Sequence, residues 1–299
     1  MDKKKIKRSW DDRIFDWVCN AFLFIFVIVV AYPIWFVLMA SFSDPTYVNN
    51  GSFLLFPKGF TIEGYDLVFR DERIWIGYLN TIFYTVSGTA LGVMVVLLAG
   101  YAFSRKDLVG ASTVMKLFVF TMYFSGGTVP LYIIIQKLGL LDTRFILIVL
   151  GSVSVYNIIV VRSFMATNIP DELHDAAVID GCGNGKFFLQ IVLPLSKAVA
   201  AVMVLYIAVS YWNTYFSAMM YMTDSLKHPL QVYLREVLIQ NSSLAGDLDL
   251  SPEELLKMQE MAMIIKYAVI VVATAPILCV YPFIQKYFVK GVMVGSVKG

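Results

Sequence analysis

The chain has 299 residues, of which 59% are hydrophobic and only 15% are charged. A soluble domain of this length would carry about 25% charged residues, so much of the surface must face lipid. The net charge of +2, without a basic run interleaved with exposed aromatic residues, argues against nucleic-acid binding. The cysteines Cys19, Cys182 and Cys279 share no spacing typical of a metal site, and we interpret them as small apolar residues.

Six runs without a charged side chain are long enough to cross a bilayer, which takes about 17 to 25 residues in a helix. These predicted spans are Trp17–Ser43, Ile74–Ser104, Leu117–Gln136, Phe145–Val161, Ala198–Thr223 and Tyr267–Gln285. The fourth extends to Ala166 if the Arg162 side chain reaches toward the interface. Because lipid offers the backbone no hydrogen-bond partners, the predicted fold class is all-α integral membrane. No small-residue cleavage site follows the first span, so we expect it to be retained as an anchor.

Lysine and arginine side chains indicate the orientation of the spans, because they are enriched in cytoplasmic segments. The richer side carries Lys3, Lys4, Lys5, Lys7, Arg8, Arg13, Arg105, Lys106, Lys116, Arg162, Lys186, Lys197, Lys286, Lys290 and Lys298. We therefore expect both termini to be cytoplasmic. The predicted segments are a cytoplasmic N-terminus (1–16), a membrane domain (17–286) with extracellular segments (44–73 and 224–266) and a cytoplasmic loop (167–197), and a cytoplasmic tail (287–299).

The cytoplasmic loop contains a polar, glycine-rich stretch, LHDAAVIDGCGNGKFFLQIVLPL (Leu173–Leu195). Its glycines suggest a phosphate-binding loop, but only three residues separate Gly181 from Gly185. Phe187 also stands where such a loop needs a magnesium-binding hydroxyl, and no apolar strand precedes it. We therefore predict a glycine turn between two short helices.

The first of these helices should begin at Pro170 and two acidic residues, which suit a helix N-terminus. Leu173, Ala176 and Ala177 then fall on one face at helical spacing. The second carries an apolar patch before Leu193-Pro194. This pattern predicts a helix outside the membrane, with small residues on one face, that binds a soluble partner.

The fifth predicted span contains polar and aromatic residues at Trp212, Asn213, Tyr215 and Phe216. Aromatic rings stack on pyranose faces and amides bind hydroxyls, so these residues can line a sugar path. Helix packing, with the asparagine as an interhelical hydrogen-bonding group, is an equal alternative. Gly88 and Gly92 form a Gly-x-x-x-Gly step that predicts close packing of the second span. We assign no role to the lone loop histidines His174 and His228.

The segment 224–266 is long for a connection without a function. Two helices are predicted in it, around Leu230–Ile239 and Pro252–Met263, joined by NSSLAGDLDLS. The apolar stripe of the first is Leu230, Tyr233, Leu234, Val237 and Leu238. A solvated connection is one interpretation; the other is contact with a partner through the flexible centre, which is Ser242, Ser243, Leu244, Ala245 and Gly246.

The stretch DAAVIDGCG followed by IVLP resembles the EAA loop of ABC importer permeases. The matching residues are Asp175, Ala176, Ala177, Asp180, Gly181, Ile191, Leu193 and Pro194. Asp175 replaces the usual glutamate, and Cys182 stands where alanine or serine is common. Four further segments are similar to the carbohydrate-importer branch, in its LplC-like group related to MalG: Phe124–Thr143, Tyr211–Phe216, His228–Leu238 and Gln285–Gly299. Gly151, where proline is frequent, is a local departure.

The resemblance implies a type I ABC importer permease fold in the bacterial plasma membrane, without a catalytic site or cofactor of its own. ATP and magnesium would be used by a partner ATPase dimer, into which the EAA-like residues insert as a coupling helix. The other implied partners are a second homologous six-span permease, an extracellular lipoprotein sugar-binding protein and the oligosaccharide itself. Residues 242–246 would reach into the docked binding protein.

Four other functions compete with sugar import by an ABC permease. A binding module without transport fits the cytoplasmic loop but leaves the polar groups of the fifth span unexplained. A permease of the same architecture can import a non-sugar solute. A secondary transporter would need an intramembrane acidic or histidine residue for ion coupling, and the six predicted spans contain none. A membrane enzyme would need a carboxylate or His/Cys constellation at the membrane face, and the spacing of the acidic residues matches none.

Overall fold

The computed structural model describes residues 9–49, 55–243 and 260–279, and their regular structure is entirely helical. The helices are α1 (Trp10–Ala40), α2 (Pro45–Asn49), α3 (Glu63–Arg70), α4 (Glu72–Ser104), α5 (Ala111–Tyr123), α6 (Thr128–Lys137), α7 (Arg144–Ser152), α8 (Val155–Asn168), α9 (Asp171–Ile179), α10 (Asn184–Leu195), α11 (Lys197–Trp212), α12 (Phe216–Tyr221), α13 (Leu230–Ser243) and α14 (Glu260–Cys279). Helix α10 includes a π-helical turn at Phe188–Val192. The all-α fold class is confirmed.

Three described helices, α1, α4 and α14, are each long and apolar enough to cross a membrane alone. Three bent pairs pass the same test together: α5 with α6 at 114°, α7 with α8 at 45°, and α10 with α11 at 81°. Counting each bent pair as one span gives up to six spans, the number that the apolar runs predict. The third pair differs from the prediction in its bounds, since it joins α10 of the expected cytoplasmic loop to α11, whereas the predicted fifth span covers α11 and α12. Helix α1 starts earlier than its apolar run because the Ser9 N–H donates to the Asp12 carboxylate (3.1 Å).

Three of the spans were predicted as continuous helices, and that prediction is wrong because each of them is broken. The third breaks at Phe124–Gly127, where Gly127 adopts φ +88°, a conformation that favours glycine. The fourth breaks at Val153–Ser154, and the Ser154 side chain caps the next helix by accepting from the Asn157 N–H (3.3 Å). Helix α8 then continues past Arg162 to Asn168, as expected.

The fifth span is broken between α11 and α12, at Asn213–Tyr215. The Asn213 side-chain amide donates to the Val209 carbonyl (2.8 Å), and the Thr214 hydroxyl donates to the Ser210 carbonyl (3.0 Å). Side chains that bond the preceding turn in this way compete with the helical ladder. The break therefore has a local cause in the residues YWNTY.

Contacts divide the chain into two compact units. The smaller comprises the described parts of 1–70 and 237–272, with Met39, Ala40 and Val48 as its buried cluster. In it the Ser41 and Tyr65 hydroxyls share a hydrogen bond (2.7 Å). Burial raises the pKa of the Tyr65 phenol, so this hydroxyl stays neutral.

The larger unit comprises the described parts of 71–236 and 273–299, and helix α4 is its centre. Helices α7, α8 and α11 all pack against α4. The Tyr211 side chain, 3% exposed, occupies space that two glycines leave open. A Cβ added at Gly88 would lie 2.2 Å from the Tyr211 ring, and one added at Gly151 would lie 2.7 Å from it. The Tyr211 hydroxyl donates to the Ile148 carbonyl.

The packing interpretation of the Gly-x-x-x-Gly step is therefore confirmed. Gly92, the second glycine of the step, faces Ile207, where an added Cβ would lie 3.2 Å from the isoleucine side chain. Gly151, the departure from the family pattern, is explained by the same tyrosine ring. Glycine at these positions leaves room for the side chains of the facing helix α11.

Several predicted segments lie outside the described residues: the first half of the N-terminal segment, the end of the sixth span, the tail 287–299 and most of the second outer helix. The described end of that helix begins at Glu260 and forms the first turn of α14.

Gly88→Ala should destabilise the bundle, because the new methyl group collides with a ring held from the other side by Gly151. Overpacking of this kind costs about 1–3 kcal/mol. We expect a lower melting temperature for the purified protein in detergent. Gly126→Ala is the matched control, since an added Cβ there meets nothing within 4 Å. Equal melting temperatures for the two variants would contradict the packing described here.

Candidate functional site: coupling loop and solute path

The glycine-rich loop forms the predicted pair of short helices, α9 and α10. Helix α9 ends in a Schellman motif, in which Gly181 (φ +74°) donates to the Val178 carbonyl (2.9 Å). Cys182 donates to the Ala177 carbonyl (2.8 Å) in the same motif. The glycine turn is therefore confirmed, and only glycine or a residue such as asparagine fits its left-handed position without strain.

The two faces of this loop have different environments. Ala177 (7% exposed), Phe187 (0%) and Val192 (0%) belong to the buried cluster of the membrane bundle. The expectation that Ala176 and Ala177 present one flat docking face is wrong in part, because Ala177 packs inward and only Ala176 is exposed.

The outer face carries residues that a docking partner can reach. The exposed members are Asp175, Ala176, Val178, Ile179, Asp180, Gly181 and Pro194, while Ile191 and Leu193 are half-buried and pack on the core. Ile179, at 86% exposed, was not among the predicted contact residues. An apolar side chain so exposed at the end of a helix outside the spans is the sequence signal that could have identified it.

His174 joins the two helices of the loop, a role that the sequence did not reveal. Its Nε2 lies 3.1 Å from Asn184 Oδ1, and its ring meets the Phe187 ring edge-on with centroids 5.1 Å apart. The imidazole therefore holds α9 against α10 around the buried phenylalanine.

An ion pair joins the loop to the end of α4. Lys106 Nζ lies 2.8 Å from the Asp171 carboxylate in the first turn of α9, and Arg105 approaches the same carboxylate at 3.5 Å. The hydrogen bond from Lys106 lowers the pKa of Asp171 and raises that of Lys106, so both groups stay charged at neutral pH. Arg162 Nε also donates to the Phe103 carbonyl near the end of α4 (2.9 Å).

The four predicted sugar-path residues separate into two groups. Trp212 packs: its indole N–H donates to the Ala273 carbonyl (3.3 Å), and its ring lies 6.4 Å from that of Tyr78. Asn213, Tyr215 and Phe216 are exposed at the break of the fifth span. The hydrogen bond described for the Asn213 side chain is to its own helix, so the sugar-path role and the interhelical role both stay predictions for this residue.

The segment Thr223–Leu230, here called the strap, follows α12 and is tied to α4 by polar side chains. The Asn80 amide donates to the Leu226 and His228 carbonyls (2.8 and 3.0 Å). The Tyr84 hydroxyl donates to the Lys227 carbonyl (2.9 Å), and the Thr81 hydroxyl accepts from the Leu230 N–H (2.8 Å). The strap's backbone groups are thereby satisfied where helical bonds are missing.

Asp142, between α6 and α7, holds the other side of the strap. Its carboxylate accepts from the Thr223 and Asp224 N–H groups (3.2 and 3.1 Å) and from Lys227 Nζ (3.1 Å). The backbone bond from Asp224, reinforced by Lys227, lowers the pKa of Asp142. The stabilisation that the ionised Asp142 carboxylate gives the fold is therefore complete above the ordinary pKa of an aspartate. It is lost only as the pH falls through the lowered pKa.

Helix α13 follows the strap and buries the predicted stripe at Leu230, Tyr233 and Val237. The Tyr233 hydroxyl donates to Asp71 (2.9 Å), which also binds Arg73 (2.7 Å). The hydrogen bond from Arg73 lowers the pKa of Asp71, whereas burial raises that of Tyr233. Ser242 and Ser243 end this helix, so the expected flexible centre does not include them; Leu244, Ala245 and Gly246 lie outside the described residues.

Comparison with known proteins gives full-length matches. No protein-family model matches the chain. It is 41% identical to the polygalacturonan/rhamnogalacturonan transport system permease protein YtcP of Bacillus subtilis, covering 96% of this chain and 99% of that protein. It is 39% identical to protein LplC of the same organism, covering 96% of each.

Solved structures agree with this relationship. A chain of the bacterial ABC transporter that imports the acidic polysaccharide alginate superposes with a TM-score of 0.84 at 32% identity. The match covers 95% of this chain and all of that one. The resemblance of the glycine-rich loop to the EAA loop is thus matched along the whole chain: this protein belongs to the carbohydrate ABC importer permeases, the multi-pass inner-membrane transport subunits that have no catalytic site or cofactor of their own.

Proposed function

We propose that the exposed face of the α9–α10 loop is the surface on which the ATPase dimer acts. The observation that carries the proposal is the two-sided character of the loop. Phe187 and Ala177 belong to the core of the bundle, while Ile179 and Asp180 face outward. A displacement imposed on the outer face is transmitted to the spans, because packed interiors shift as units.

The docking face combines charge with small size. Asp175 and Asp180 supply polar contacts, Ile179 supplies an apolar one, and Ala176 and Gly181 permit close approach. In this arrangement residues 167–197 are cytoplasmic, and both termini lie on the same side. The segments 44–73 and 224–266 face outward, toward a lipoprotein that delivers the sugar, with residues 242–246 nearest to it.

A second, homologous permease would complete the solute path. We propose that helix α1 faces lipid or this second subunit, because only 6% of its apolar stretch is buried within the chain. The break at Asn213–Tyr215 is the part of the chain that we propose lies on the solute path. Non-helical backbone at membrane depth is tolerated where protein or water covers it.

The cargo we propose is an oligosaccharide that carries uronate carboxylates. The relative YtcP is named for polygalacturonan, a polymer of an acidic sugar, and the solved alginate importer handles an acidic polysaccharide. Uptake of radiolabelled trigalacturonate into proteoliposomes tests this cargo. The vesicles would hold the complete importer, meaning both permeases, the ATPase and the binding protein. We expect ATP-dependent accumulation; no accumulation with any uronate oligosaccharide would contradict the cargo.

Reversing the charge of Lys106 or Asp171 should uncouple ATP hydrolysis from transport, because the ion pair positions α9 relative to α4. An ion pair exposed to solvent contributes little to stability, so the melting temperature should stay near normal. We expect Lys106→Asp and Asp171→Lys each to lower the sugar imported per ATP hydrolysed by about threefold or more. The double variant should recover most of the loss. A double variant as impaired as the sum of the single variants would show that the pair itself is unimportant.

Gly181→Trp should abolish binding-protein-stimulated ATP hydrolysis, because the indole blocks the docking face. The matched control is Gly181→Asn, since asparagine tolerates the left-handed backbone and adds little bulk. We expect the control to keep at least half of the stimulated rate. Asp180→Lys should fail like the tryptophan variant. Normal coupling in Gly181→Trp would mean that this face does not meet the ATPase.

A further inference from the structure

We propose that Arg235, stacked on Tyr215, binds the carboxylate of a uronate sugar on the outer part of the solute path. The proposal rests on the function proposed above and deepens it, since it assigns the charge selectivity of the path to one side chain. Neither residue pattern nor family resemblance singles out Arg235 in the sequence.

The geometry joins two elements of the larger unit. The Arg235 guanidinium carbon, on α13, lies 5.0 Å from the centroid of the Tyr215 ring. Tyr215 belongs to the break between α11 and α12, where it remains 40% exposed. The stacked pair therefore lies where the fifth span opens its backbone, and ligand can still reach the aromatic ring.

Arg235 lacks the carboxylate partner that several other described cations have. Arg70 pairs with Asp66, Arg73 with Asp71, and Lys227 with Asp142 and Asp224, all within 3.4 Å. Among the described residues, no carboxylate lies within 4.0 Å of the half-buried Arg235 guanidinium. No described carboxylate therefore neutralises its hydrogen-bond donors, which are available to an anionic ligand.

The chemistry of the pair matches both parts of an acidic sugar. A guanidinium presents five N–H donors in a planar fork that binds a carboxylate through two parallel hydrogen bonds. An exposed tyrosine ring offers an apolar surface to the C–H groups of a pyranose. A neutral sugar would use the ring alone, so Arg235 would give the path its preference for charged cargo.

The test measures uptake by the reconstituted full importer, with trigalacturonate and its methyl ester as paired substrates. The binding protein is identical in every sample, so a difference in uptake rate between two variants cannot come from the selectivity of the binding protein. We expect Arg235→Gln to lower the trigalacturonate uptake rate about tenfold, because a charge-assisted hydrogen bond is lost. Uptake of the ester should stay within about twofold of the unaltered importer. Arg235→Lys should fall between the two.

Arg70→Gln is the matched control, because Arg70 is an exposed arginine paired with Asp66; it should leave both rates unchanged. The assay is repeated in vesicles with and without phosphatidylglycerol. An effect of Arg235→Gln confined to the anionic vesicles would mean that the arginine binds a lipid headgroup, and would overturn the proposal.

Equal losses for the acid and the ester would show a structural role and would also overturn it, as would unchanged uptake of both. These outcomes leave trigalacturonate uptake by the unaltered importer intact. Its absence, in contrast, would contradict the proposed cargo and with it the proposal for Arg235.

Discussion

The structure depends on one constraint: a backbone that leaves the helical ladder inside a membrane protein must find other hydrogen-bond partners. Three of the predicted spans are interrupted, and at the breaks of the fourth and fifth spans side chains form hydrogen bonds where the ladder ends. Asn213 and Thr214 bond the preceding turn at the fifth-span break. The strap that follows is satisfied from outside, by Asn80, Thr81 and Tyr84 of α4 and by Asp142. Asn80, Thr81 and Tyr84 therefore hold the strap in place, and the side chains exposed at the break are the ones that we propose to face the solute.

Helix α4 contacts both the α9–α10 loop and the helix that leads to the fifth-span break. At the coupling loop, buried Phe187 and the Lys106–Asp171 pair join a solvent-facing helix to the central helix α4. Further along the chain, Tyr211 packs between Gly88 of α4 and Gly151 of α7, one residue before Trp212 and the break. Helix α11 thus connects the loop to the break that we propose lies on the solute path, over the sixteen residues Lys197–Trp212. A rigid helix between a docking surface and an opening is the simplest physical route for coupling.

Apolar runs in the sequence predicted the all-α fold and the spans that became α1, α4 and α14, and the glycines of Leu173–Leu195 predicted the turn between α9 and α10. The breaks were not predicted, because two or three polar or glycine residues barely lower the hydropathy of a long run. Helical spacing placed Leu173, Ala176 and Ala177 on one face but could not say which of them meets the core. The contacts of His174, Lys106 and Asn80 join residues 10, 65 and 146 or more positions apart, and such pairs leave no local signal.

The most direct test of the account is the access of water to the break in the fifth span. A water-soluble thiol reagent would be applied to the active importer carrying Asn213→Cys, in a background with Cys19, Cys182 and Cys279 replaced. Phe26→Cys, on the exposed apolar side of α1, is the control for a lipid-facing position. The account predicts that Asn213→Cys reacts and that transported sugar slows its reaction, while Phe26→Cys stays unmodified. If Asn213→Cys is as unreactive as Phe26→Cys, the break does not line the solute path.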